Sequence, residues 1–352
     1  MMRSVLLLLG SLLGSLGEAA TTRVLFVGNS FTFVNELPQQ LAHVAASLGQ
    51  DVFVNSSTVG GCTVYAQTAD PSLGNDALTA ELLADPLGWD YIVLQTYSSL
   101  PLVKAAREKM LAPAVDAFSA RAAALRPKPA RLVMYLTWGY HDGEHEECPT
   151  SSGPARCFPF GSLASLTSPP CADAKPPKHT SAYESANGNF SCMGYGLARG
   201  YLDVRASRVA AAADAADAPL VAPCGLAWQA VRGLTTIPPA CKAAHDAEFA
   251  AAPPLPLPLV VEGAALGEGF LLNRYSPPGS KKIDKHPNVA GQYLNALTFF
   301  ATLFPAVPLA AAAPPLNTGS KAEGDRPLTT AEMKALQAAA AGVVAQCGAA
   351  CR

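Results

Sequence analysis

Val24-Leu25-Phe26-Val27-Gly28-Asn29-Ser30-Phe31-Thr32 sets an apolar, β-rich run directly against a Gly-Asn-Ser turn. Consecutive apolar residues with no polar alternation describe a strand buried on both faces, as inside a parallel sheet rather than at a solvated edge. Gly28 stops the strand, and Leu37, Leu41, Val44 and Leu48 then repeat at helical spacing behind Asn35, which is placed to cap the helix. The stretch therefore reads as strand, loop, helix. A serine at the carboxyl end of such a strand is held by the sheet and presented at the rim where open α/β sheets bind ligands. Thr32 stands where a second glycine would complete a Gly-x-Ser-x-Gly elbow, so Ser30 belongs to a different kind of turn.

The alternation continues outward. Asp51 to Val59 reads as a second strand stopped by Gly60-Gly61, Tyr91 to Leu94 as a third, Leu132 to Leu136 as a fourth, and a short strand lies near Leu220-Val221. Met110 to Leu125 and Leu197 to Ala216 are helical, and Pro287-Asn288 opens a last strong helix with Val289, Tyr293, Ala296, Phe300 and Leu303 on one face. Strands alternating with helices predict an α/β fold whose parallel sheet is covered on both faces. From Tyr140 to Asn189 the pattern breaks into Pro, Gly, Ser and Cys, an insertion at the end of the fourth strand that would overhang the rim. Ala251 to Pro258 is proline-rich and extended, and from Ala310 the chain becomes a linker followed by a helix over about Thr330 to Val344.

Composition bounds the destination. The 352 residues are 50% hydrophobic and 15% charged, which suits one globular α/β domain with low-complexity trimmings. Lys plus Arg (25) against Asp plus Glu (27) leaves a net charge of -2, so nothing supports binding to nucleic acid. Arg3, the apolar run Val5 to Leu16 and the small residues Gly17, Ala19 and Ala20 have the layout of a secretory signal peptide over residues 1–20. An uncleaved anchor is the other reading, but the run is short for a bilayer span of about 20 residues, and no stable membrane insertion is expected. Nine cysteines fit an oxidising compartment. Cys148, Cys157, Cys171 and Cys192 share the loop-rich stretch, Cys224 and Cys241 form a local pair, as do Cys347 and Cys351, and Cys62 is the candidate left over. A zinc site is the rival, but no Cys-x-x-Cys pair occurs. Asn55 and Asn189 head glycosylation sequons.

Asp284-Lys285-His286-Pro287-Asn288 places an acid and a histidine on what reads as a loop just before the last strong helix. A serine hydroxyl needs a base within hydrogen-bond reach, and the base needs an oriented acid or carbonyl behind it. Of six histidines only His286 has this setting. His141, Asp142, Glu144 and His145 crowd together after the fourth strand, but Gly143 and Pro149 argue for a loop rather than a metal-binding helix, and no metal is expected.

Together these segments resemble the SGNH (GDSL-type) hydrolase superfamily, in particular a secreted branch opening on Gly-Asn-Ser-Phe-Thr. The matching blocks are Val24 to Pro38, Val59 to Val64, Trp89 to Pro101 and Asp284 to Ala296, with Met134 to Gly139 similar to that branch's fourth strand. They span residue 22 to about 303, excluding the cysteine-rich insertion. The resemblance implies a flavodoxin-like three-layer α/β/α sandwich over residues 21–309, with 140–190 as its insertion and 310–352 appended. It also implies a cofactor-free hydrolysis of carboxylic esters through an acyl-enzyme. Ser30 matches the nucleophile, His286 the base, and Gly61 the glycine whose N–H joins the Ser30 N–H in holding the oxyanion. Two departures stand out. Where the family supplies an asparagine amide this chain has Gln95, which carries the same amide one methylene further out. The acid commonly sits three residues before the histidine, whereas Asp284 sits two before His286, leaving Asp284 or a backbone carbonyl to orient the ring. Trp138 and Tyr140, at the end of the fourth strand, would offer a stacking surface for a sugar. The substrate expected is a small-molecule or glycan ester: either deacetylation of extracellular glycans or hydrolysis of a soluble lipid ester. The alternative is a catalytically silent glycan-binding or cell-surface domain on the same fold.

Overall fold

A computed structural model describes residues 20–68, 76–97, 100–141, 189–212, 217–249, 257–275, 283–316 and 326–352. The segment read as a signal peptide, the interior of the cysteine-rich stretch with Cys148, Cys157 and Cys171, and most of the proline-rich piece lie outside the described residues.

β1 (Thr22–Gly28) is the strand on which the rest is arranged, and Val24 to Val27 are fully buried, as the unbroken apolar run requires. A single turn, α1 (Ser30–Phe33), leads to α2 (Leu37–Ser47), β2 (Val52–Thr58), α3 (Ala77–Leu83) and β3 (Tyr91–Leu94). A π turn over Arg107–Leu111 runs into α4 (Ala112–Ala124), followed by β4 (Arg131–Tyr135), α5 (Phe190–Ala211), β5 (Leu220–Ala222), α6 (Cys224–Val231) and α7 (Pro239–Glu248). The hairpin of β6 (Asn273–Tyr275) and β7 (Ile283–Pro287) precedes α8 (Val289–Leu303) and α9 (Thr330–Cys347). The five-stranded sheet has the order β2-β1-β3-β4-β5 with every pair parallel. That is the flavodoxin order, flanked by helices in a three-layer α/β/α sandwich, and its strand order reverses between β1 and β3, the place where open α/β sheets bind ligands at the carboxyl ends of their strands. At the edge, β2 alternates, leaving Phe53 and Asn55 exposed.

Four local expectations are corrected. Asn35 does not cap α2: Asn35 and Glu36 both adopt left-handed backbone (φ 56 and 57), which swings the Asn35 amide away to donate to the Pro287 carbonyl at 2.9 Å. α8 is not apolar on one face alone; Ala290 to Leu303 are all buried, because α2, α6 and α9 pack around it. Cys241 pairs with Cys192 rather than Cys224, since α7 lies against α5 while Cys224 begins α6 deep in the core as a free thiol. Cys62 is disulfide-bonded and not the odd one out, and Cys347–Cys351 forms as the local pair expected.

α9 is not a loose appendage. Thr329 and Glu332 form a capping box, and the hydrogen bond from Arg326, joined by those from Thr329, outweighs the opposing effect of desolvation and holds the Glu332 carboxyl down to about 2. Leu336, Ala339, Ala340, Val343 and Val344 enter the same core as β1, and the Cys351 carbonyl accepts from Val221 N–H at 2.8 Å beside β5. Leu336→Ala is therefore expected to cost about 2–5 kcal/mol of global stability by urea denaturation, as a cavity in a shared core does. A change confined to the helix, with the main transition unmoved, would separate α9 from the domain.

Candidate active site

The turn after β1 is fixed by buried hydrogen bonds around Gly28. Gly28 has no room for a side chain: a Cβ there would lie 2.8 Å from Gln95 Oε1 and 2.6 Å from Thr32 Oγ1. That space is taken because Gln95 Oε1 accepts from Asn29 N–H at 2.7 Å and from the Thr32 hydroxyl at 3.1 Å, while its Nε2 donates to the Thr96 carbonyl. Asn29 in turn donates from Nδ2 to the Cys62 carbonyl at 2.8 Å and accepts from Phe31 N–H. The loop carrying Gly60 and Gly61 is thereby drawn against the serine turn, and Val59 N–H reaches the Gly28 carbonyl at 3.0 Å. Gly61 sits at φ +67, where a side chain would be strained. Among the described residues, neither the Gly61 nor the Ser30 N–H has an intramolecular partner.

Asp284 and His286 lie on β7, not on a loop. The hairpin pairs Asn273 with Pro287 and Tyr275 with Ile283, so the three residues Asp284, Lys285 and His286 stand opposite the single residue Arg274. Such a bulge re-aims side chains. In extended chain, residues two apart share a face, and Asp284 Oδ2 meets His286 Nδ1 at 2.8 Å. His286 Nε2 lies 2.7 Å from Ser30 Oγ. With Nδ1 protonated and donating to the carboxylate, Nε2 is the acceptor for the serine proton, a tautomer inferred from these partners. Arg274 Nε donates to Asp284 Oδ2 at 2.9 Å and Lys285 N–H to Oδ1 at 2.7 Å. Burial pushes the Asp284 carboxyl up, but the hydrogen bond and charge of His286 and then of Arg274 outweigh it, holding it well below the usual carboxylate range.

Gln95, expected as an oxyanion donor, does not face the cleft: it is fully buried, with its carbonyl under the serine turn and its amide on Thr96. Trp138 is likewise not a sugar platform. It is fully buried, stacked on Trp228 at 4.1 Å and 5°, and donates from Nε1 to the Lys285 carbonyl at 3.1 Å. Tyr140 stays partly exposed, 6.3 Å from Phe31, whose ring meets the His286 ring edge-on at 5.5 Å. Of the polar cluster after β4 only His141 is among the described residues. Asn29, Arg274, Asn273 and Gln292 were not singled out in the sequence. Asn273 donates to the Lys285 carbonyl at 3.1 Å, and Gln292 donates to the Phe31 and Val34 carbonyls at 3.1 and 2.7 Å. Only Asn29, next to Ser30, carried a visible cue.

No family model matches the chain, and no curated protein matches it in sequence. Among solved structures it is similar to a DUF4886 family protein from Bacteroides uniformis ATCC 8492, at 16% identity and a TM-score of 0.53 over 93% of this chain and 95% of that one. It is also matched to the structure of TesA at 15% identity and a TM-score of 0.36, over 81% of this chain and 100% of that one. The first likeness shows the fold.

Two outcomes follow. Gln95→Leu leaves the Asn29 N–H and the Thr32 hydroxyl buried without an acceptor, and is expected to cost about 2 kcal/mol or more in denaturant unfolding. The depressed Asp284 carboxyl contributes stability that is fully present above the unfolded carboxylate value of about 3.9 and is lost as pH falls toward the folded value. The stability gap between the protein and Asp284→Asn should therefore narrow below about pH 4; a gap that widens there would contradict the arrangement.

Proposed function

We propose that the protein is a serine hydrolase that cleaves carboxylic esters through an acyl-enzyme, in line with its SGNH-like motifs. The observation that carries this reading is the continuous path from Ser30 Oγ to His286 Nε2 at 2.7 Å and from His286 Nδ1 to Asp284 at 2.8 Å, at the carboxyl end of β1. Ser30 Oγ attacks the ester carbonyl carbon as its proton passes to His286 Nε2. The carbonyl oxygen takes the negative charge and is met by the unpaired N–H groups of Ser30 and Gly61, each such donor contributing about 3 kcal/mol in the transition state. The C–O bond then breaks, the alcohol leaves with the proton from His286, and a water repeats the sequence to release the acid. Asp284 remains ionised throughout and steadies the imidazolium.

The bulged strand supports Asp284 as the acid despite its spacing, so the short spacing does not favour a silent glycan-binding domain. Secretion is part of this proposal: the signal-peptide layout, the Cys192–Cys241 and Cys347–Cys351 disulfides, and exposed Asn55 and Asn189 sequons favour an oxidising, glycosylating compartment.

A fluorophosphonate probe should label the protein, and Ser30→Ala should abolish labelling and lower ester turnover by about a thousandfold or more with an unchanged Tm. Labelling retained in that variant would place the nucleophile elsewhere. The charges flanking His286 set the sign of two further changes. Asp284→Asn removes the anion that stabilises the imidazolium, so the acid limb of kcat/KM should move to lower pH as kcat falls. Arg274→Gln removes an opposing cation, so the limb should move to higher pH. Shifts in the same direction would show that neither group acts through the histidine.

A further inference from the structure

Lys285, between the acid and the histidine, is not used by the mechanism above. Its side chain leaves the Asp284–His286 pair and reaches over two rings, with Nζ 5.6 Å from the centroid of Tyr97 and 5.5 Å from that of Tyr140. Tyr97 follows β3 and Tyr140 follows β4, so the ammonium stands at the rim on the β3–β4 side of Ser30, away from Gly61 on the β2 side. Its backbone is fixed, because the Lys285 carbonyl accepts from both Trp138 Nε1 and Asn273 Nδ2 at 3.1 Å.

Among the described residues the ammonium pairs with no carboxylate. The adjacent acid, Asp284, has both oxygens engaged by His286, Arg274 and the Lys285 N–H. Aromatic faces attract a cation but accept none of its three N–H donors in the way an oxygen does. Among the described residues the rings thus hold a charged donor whose hydrogen bonds no carboxylate fills. With a net charge of -2 over the chain, any attraction for an anion is local to this point and not a field of the whole protein.

We propose that the Lys285 ammonium, seated between Tyr97 and Tyr140, recognises a carboxylate on the alcohol part of the substrate, making acylated acidic sugars the preferred esters. This rests on the esterase reading above, and its test is binding, which needs no turnover. On Ser30→Ala, titration calorimetry compares an O-acetylated methyl glucuronoside with the matching O-acetylated methyl glucoside, which lacks the carboxylate. The charged sugar should bind about tenfold more tightly, the scale of one charge-assisted hydrogen bond. Lys285→Met in that background should bring the ratio to about one, and Lys285→Arg should restore it. A purely structural lysine would weaken both sugars alike and leave the ratio standing. Equal affinities in Ser30→Ala, no binding of the charged sugar, or a ratio unmoved by Lys285→Met would overturn the proposal. Charge-selective binding by a protein that hydrolyses no ester would instead sink the esterase reading alone, while hydrolysis of both acetylated sugars without discrimination would sink this one alone.

Discussion

Ser30 and His286 are 256 positions apart in the chain, and the hydrogen bond between them cannot be what holds them in place, because it must give way whenever the serine proton moves. The constraint lies in buried amides that take no part in that exchange. Gln292, near the start of α8, donates to the Phe31 carbonyl within α1 and to the Val34 carbonyl just after it, and Asn35 donates back to the Pro287 carbonyl at the end of β7. Gln95 then fixes the same turn from β3. Each of these groups is shielded from water, so separating the two segments would strand donors and acceptors at about 1–3 kcal/mol apiece. The start of the domain and its last sheet-covering helix are thereby locked at the distance a serine and an imidazole need.

The parts of this arrangement that depend on local sequence were legible. An unbroken apolar run can only be an interior strand, and β1 is buried from Val24 onward as its residues demand. The alternation of strands and helices carried the sheet order's parallel character in the same way. What escaped was decided by partners distant in the chain. Asp284 to His286 reads as a loop because Lys285 and His286 break any apolar pattern, yet pairing with Asn273 and Tyr275 draws it into a strand. Gln95 looked like a donor for the cleft, and nothing local reveals that the bare backbone of Gly28 leaves space for its carbonyl to turn beneath Asn29. Trp138 is hidden by Trp228, ninety residues further on by sequence number. The local pairing of Cys224 with Cys241 failed for the same reason: α7 finds α5, and adjacency in sequence gives no sign of it.

The bulge in β7 explains why a shortened acid-to-histidine spacing is compatible with a working geometry. A loop can place a carboxylate at many offsets from a histidine, but each needs the loop itself to be held. A strand offers one offset, two residues, and supplies the support through its ladder. Opposing three residues to Arg274 lifts Asp284 and His286 out of the hairpin toward Ser30 while keeping their common side. Arg274 then reaches the same carboxylate oxygen as His286, so the cation that neutralises the acid also fixes its orientation. Substitution of the intervening Lys285 preserves the register, whereas inserting a residue there would turn one of the pair to the opposite face. The two-residue spacing is therefore a property of the secondary structure that carries it, and the lysine it encloses is sent to the other side, where Tyr97 and Tyr140 receive it.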